Sequence, residues 1–150
     1  MNELIYHFFS DDEFLRISNQ IKDTEKITSG EIRVSIKENL SCFKNKKNIR
    51  ELAEKEFYRL NMDKTRDKTG ILIFIVLNER KFYILGDKGI NEKIYQDVWD
   101  SVRDKIQIEF RNGHFSEGII LGISLIGKIL SEHFPIKPDD TNELSNRVVF

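Results

Sequence analysis

Cysteine, proline and histidine are scarce in this 150-residue chain, with one Cys, two Pro and three His. The single Cys42 excludes an internal disulfide and fits a reducing compartment. The residue six positions after Cys42 is Asn48, so the arginine that a cysteine-based phosphate loop needs is missing. His7, His114 and His133 show no HExxH-type spacing, which removes the usual zinc signature. An excess of charge is missing too: Lys plus Arg total 24 and Asp plus Glu 25, for a net charge of −1. That balance is no footprint for nucleic acid, and the Lys44, Lys46, Lys47 group reads as a solvated loop.

Long apolar runs are also lacking. The most apolar stretch, Gly118 to Gly127, closes with Lys128. It falls well short of the roughly 20 residues a membrane span needs. The first residues, Met1-Asn2-Glu3-Leu4, carry no basic segment, and Asp11, Asp12 and Glu13 soon follow. No signal peptide is expected, and the cytoplasm is the expected location.

What is present is a globular composition, 39% hydrophobic and 33% charged, with eleven Phe. Such a chain has the apolar area to order itself as one domain. Ser10 to Glu13 has the spacing of a capping box, and Phe14, Ile17 and Ile21 recur at helical intervals, predicting a helix over 11 to about 26. Ile32, Val34 and Ile36 alternate with polar residues as in a half-buried strand. Ile49, Leu52, Ala53, Phe57 and Leu60 form a second helical stripe.

Ile71 to Leu77 is apolar throughout, predicting a central strand covered on both faces. A polar turn, Asn78 to Lys81, then returns Phe82 to Leu85 as a hairpin partner. Ile90, Ile94, Val98, Val102, Ile106 and Phe110 step by four, predicting one long third helix with Gly113 as its C-terminal stop. A fourth helix, with Ser116 as candidate cap, runs to about His133, and its glycines predict close approach to the sheet. Tyr6, Phe8 and Phe9 either staple the first helix or offer a partner surface. Residues 1–135 read as the domain and 136–150 as a C-terminal tail whose apolar end, Val148 to Phe150, is a candidate subunit contact.

This order predicts a parallel β-α-β unit followed by an antiparallel hairpin strand. Two strand beginnings and one strand end then share a rim, which brings Glu31, Asp67, Thr69 and Asp87 into one neighbourhood. Two readings of the acids stand. They supply oxygens to a hard cation, or Asp87 caps a helix, Glu31 pairs with Arg66 or Lys88, and Asp67 serves a turn.

At the level of family, the chain resembles the TPM domain of a thylakoid-lumen protein and many bacterial proteins. The residues that carry the likeness are Thr28-Ser29-Gly30-Glu31-Ile32, Thr69-Gly70, Gly86-Asp87-Lys88-Gly89-Ile90, Trp99 and Gly118. His133-Phe134-Pro135 and Asn142-Glu143-Leu144 resemble the ending of a short cytosolic bacterial branch. The resemblance implies a three-layer α/β/α sandwich with a small mixed sheet. It further implies calcium or magnesium binding, with Glu31, Asp67 and Asp87 as candidate ligands. The expected role is a non-enzymatic interaction or protective module whose partner is another protein, with weak metal-dependent acid phosphatase activity as the alternative. Asp87-Lys88 stand where many relatives carry an aromatic between the turn's two glycines, so ligand positions do not transfer one for one.

Overall fold

The computed structural model describes residues 3–39, 48–138 and 144–150. Cys42, the Lys44, Lys46, Lys47 group, and Asp139, Asp140, Asn142 and Glu143 lie outside the described residues. The elements are α1 (Glu3–Phe8), α2 (Asp11–Thr24), β1 (Glu31–Lys37), α3 (Ile49–Arg59), a 3-10 turn (Met62–Lys64), β2 (Gly70–Val76), β3 (Lys81–Gly86), α4 (Lys88–Asn91), α5 (Gln96–Arg111) and α6 (Phe115–His133).

The sheet order is β1-β2-β3, with β1 parallel and β3 antiparallel to the central β2. β2 is buried at every position, as its unbroken apolar run predicts. Alternate side chains sort into two cores. Ile71, Ile73 and Ile75 join α2, α5 and α6 on one face, while Leu72, Phe74 and Val76 meet Leu52, Ala53 and Phe57 of α3 on the other. The result is a three-layer α/β/α sandwich around a small mixed sheet.

β1 is less half-buried than its alternation suggests, because its polar positions are covered as well. Ser35 donates a hydrogen bond to the Glu56 carboxylate of α3, which Arg59 and Lys37 also bind. Burial pushes the Glu56 carboxyl up, but the Arg59 and Ser35 hydrogen bonds and the Lys37 charge hold it below its ordinary value. The outer edge of β1 is occupied in turn. Ile32 N–H donates to Glu25 Oε2 at 2.9 Å, and Ile36 N–H to the Val149 carbonyl at 2.7 Å. Val149 N–H donates back to Val34 O at 2.8 Å. The apolar chain end thus docks on its own sheet, and Phe150 packs on Phe14 with ring centroids 4.8 Å apart.

Three local expectations need correction, and one open alternative is resolved. The long third helix is two helices, α4 and α5. Asn91 donates to Gly86 O and Gln96 to Ile84 O, tying both sides of the break to β3 so that α5 can turn back over the sheet. Ser116 is no cap: α6 begins one residue earlier, and the Ser116 hydroxyl donates to Glu13 of α2. The α6 glycines face helices rather than the sheet. A Cβ at Gly122 would lie 2.4 Å from Ile106 of α5, and one at Gly127 would lie 2.2 Å from Thr24 of α2. The first aromatic cluster acts as a staple, with Phe9 buried and Tyr6 set edge-on against Phe14.

Other signals read as expected. The Ser10 to Glu13 capping box is present in both directions. Gly113 closes α5 with φ of +79° while its N–H reaches Phe110 O and the next N–H reaches Glu109 O, the paired bonds of a left-handed helix stop.

Candidate functional site at the acidic rim

Strand register decides which chain ends meet. Glu31 stands opposite Gly70, and Ile71 opposite Gly86, so the beginnings of β1 and β2 and the end of β3 form one rim. Backbone bonds stitch it together: Glu31 N–H reaches Thr69 O at 3.0 Å, and Asp87 N–H reaches Gly70 O at 2.9 Å. Glu31 and Asp87 therefore lie on one edge of the sheet, with Asp67 in the connection that enters β2.

Each acid has its own local engagement. Glu31 is 4% exposed, and its Oε1 accepts the Leu144 N–H from the returning tail at 2.9 Å. Asp67 is more open, and its Oδ2 sits 3.2 Å from Arg66 and 3.3 Å from Lys137. The Arg66 and Lys137 hydrogen bonds hold its carboxyl below the ordinary value despite some desolvation. Asp87 is 8% exposed and caps α4, with Oδ1 accepting the Lys88 N–H at 2.8 Å. Its other oxygen, Oδ2, is buried and has no hydrogen-bond partner among the described residues. Burial pushes the Asp87 carboxyl up, and the Lys88 N–H only partly offsets that.

At Gly89, two residues after Asp87, the backbone is crowded by carbonyl oxygens. A Cβ at Gly89 would lie 2.4 Å from the Asp67 carbonyl oxygen and 2.6 Å from that of Lys68. Only glycine lets the first turn of α4 approach the entry to β2 so closely. Thr65, on the same connection, has a buried hydroxyl without a partner among the described residues. Carboxyl and carbonyl oxygens are the donor types a hard cation uses. Even so, no group of three or more His, Cys, Asp or Glu side chains that could hold a metal ion occurs among the described residues.

Sequence reasoning missed one acid. Glu25, the C-cap of α2, sends Oε2 to the Ile32 N–H, while its Oε1 is buried without a partner among the described residues. Burial, with a further push from the Glu31 charge, raises its carboxyl from an ordinary 4.5 to about 8. The available signal was positional: Glu25 and Glu31 flank the short α2–β1 turn, and a helix-ending acid there can reach the unpaired edge of the new strand.

The comparisons with known proteins bear on this arrangement. The family profile of the TPM domain matches residues 6–129, most of the chain. The chain belongs to the TPM-domain family. Among solved structures, the NMR structure of BA42 protein from the psychrophilic bacterium Bizionia argentinensis is 37% identical, with a TM-score of 0.85 over 95% of this chain and 94% of that one. The N-terminal domain of a protein from P. gingivalis, also solved by NMR, is 15% identical with a TM-score of 0.68, covering 85% of this chain and 79% of that domain. At that identity the likeness shows fold alone. A search of curated proteins gives no match. In this TPM domain no helix among the described residues is long and apolar enough to cross a membrane.

Proposed function

We propose that this TPM domain is a cation-binding module, taking calcium or magnesium at the acidic rim, whose use is to interact with or protect another protein rather than to turn over a substrate. The observation that carries the reading is Asp87 Oδ2, a buried carboxylate oxygen without a partner among the described residues. An ionised buried oxygen left unpaired costs about 1–3 kcal/mol or more, and a cation would remove that cost. The crowded carbonyls of Asp67 and Lys68 beside Gly89 supply the neutral oxygens such an ion prefers.

The three candidate ligands differ in what they must give up. Asp67 would leave exposed pairs with Arg66 and Lys137, a class of contact worth about 0–1 kcal/mol. Glu31 would leave the Leu144 N–H, a part-buried bond that holds the tail. Asp87 is thus the anchor, Asp67 the easier recruit and Glu31 the harder one.

Calorimetric titration with Ca²⁺ and Mg²⁺, on wild type and Asp87→Asn, tests the site. Asparagine caps a helix about as well as aspartate, so the fold is preserved while the charge is lost. Saturable binding by wild type that weakens at least tenfold in Asp87→Asn supports the site. Binding that strengthens as the pH rises above the ordinary carboxylate range is also expected, because the ion competes with the proton on a carboxyl whose pKa burial has raised. Equal binding by both proteins would overturn it. Hydrolysis of a generic phosphomonoester, dependent on both the cation and Asp87, would replace the module reading with the phosphatase one.

A further inference from the structure

The opposite end of the sheet carries a cavity that the rim reading does not use. It holds about 370 Å³ and opens where β2 ends and β3 begins, lined by Ile75, Val76, Leu77 and Phe82 of the hairpin and by residues of α1, α5 and α6. β2 has seven residues, so at about 3.3 Å per residue the cavity lies about 20 Å from the acidic rim. This is the carboxyl end of the parallel pair, the side on which open α/β sheets commonly take ligands.

Its walls are aromatic. Phe8 of α1 meets Phe115 of α6 edge-on at 4.7 Å between centroids. Phe110 of α5 lies 5.2 Å from Phe82 and 5.6 Å from Phe115. Phe8, Phe110 and Phe115 are only partly buried, so ring surface faces the opening. The cationic residues on the lining are Arg80 and Lys81 of the hairpin and Arg111 in the last turn of α5. All three are exposed, and none of them forms an ion pair among the described residues. Among the described residues, no acidic side chain lines the cavity.

We infer that this cavity is a binding site for a small amphiphilic carboxylate, its apolar body among the phenylalanines and its head on Arg80 and Arg111. The charge argues for the head, because guanidinium groups pair with carboxylates through short charge-assisted bonds. The volume argues for the body. At about 30 Å³ per water-sized unit, the space takes about a dozen non-hydrogen atoms, the size of a medium-chain fatty acid. A cavity of this volume with an apolar wall and a few convergent polar groups is what small-molecule sites share.

The test titrates the intact protein with decanoate below its micelle concentration, with 1-decanol and acetate as controls, following backbone amides by two-dimensional NMR. Decanoate is expected to shift the amides of Phe82, Gln107 and Gly113 saturably, at micromolar to submillimolar affinity. The double variant Arg80→Gln/Arg111→Gln should bind it at least tenfold more weakly while binding decanol as wild type does. Both substituted side chains are exposed, so the fold survives the change. The proposal fails if acetate binds as well as decanoate, if the double variant binds decanoate unchanged, or if the shifts map elsewhere. None of these results depends on the cation at the far rim.

Discussion

The two ends of the small sheet solve opposite electrostatic problems. At the rim where β1 and β2 begin, carboxyl groups are drawn in: Glu31 and Asp87 are buried, and Glu25 and Asp87 each keep one oxygen without a partner among the described residues. At the cavity where β2 passes into β3, the charged residues of the lining are cationic, exposed and without ion pairs among the described residues, over an aromatic floor, with the exposed Glu79 next to Arg80 in the turn. One end stores electrostatic cost inside the protein; the other leaves its charge in water and its apolar surface half-covered. Both are departures from simple packing, and a cation at the first and a carboxylate at the second are the ligands proposed for them.

Truncation after Pro135 should produce the largest effect of the changes that probe this contrast. It removes the Leu144 N–H from Glu31, two backbone bonds to β1 and the Phe150 contact with Phe14. A loss of about 2–4 kcal/mol is expected from bonds and apolar area together. Urea unfolding followed by the emission of Trp99 measures it, and an unchanged midpoint would mean the tail does not support the rim. Trp99 is suited to this because it is the only tryptophan and is fully buried.

Glu25→Gln comes next. The folded pKa of Glu25 lies above its ordinary value, so its contribution to stability is full below about 4.5 and is lost as the pH rises to about 8. The glutamine variant should match wild type near pH 5 and exceed it at pH 8.5, by about 1–3 kcal/mol, the cost of an unsatisfied buried polar group. Parallel unfolding curves at the two pH values check this. A glutamine variant less stable than wild type at pH 8.5 would show that the buried charge is compensated.

Smallest of all should be Asp67→Asn. Its partners Arg66 and Lys137 are surface residues, and such exposed pairs contribute little. Thermal unfolding at neutral pH should change by no more than about 0.5–1 kcal/mol, and any difference should shrink as the pH falls, since the wild-type carboxyl is then protonated. A larger loss would place Asp67 among the structural acids of the rim.

Much of the fold was legible because its signals are local and periodic. The apolar run through Ile71 to Val76 can only be a central strand, and the helix-hairpin order around it dictates the topology. The rim followed from that connectivity, which is why Glu31 and Asp87 were found together on one edge. The helix cap read for Asp87 is present at the start of α4, but what Glu31 and Asp67 touch did not follow. Leu144 reaches Glu31 from 113 positions away, and Lys137 reaches Asp67 from 70. The cavity was hidden for the same reason. Phe110 reads as one more step of a helical stripe and Phe8 as part of a staple, and only packing of α1 against the α5–α6 corner brings them to one opening. The break between α4 and α5 was masked because Ile90 and Ile94 remain buried across it, so the stripe continues where the helix does not.

The Val149 contact has a consequence for how the molecule breathes. The amide of Ile36 belongs to a strand of the sheet, yet its hydrogen is held by the last turn of chain and not by β2. Its exchange with solvent therefore keeps the time of the tail's own openings, while the amides of β2 wait for the whole sheet to part. One proton in the middle of a strand is a clock for the far end of the polypeptide.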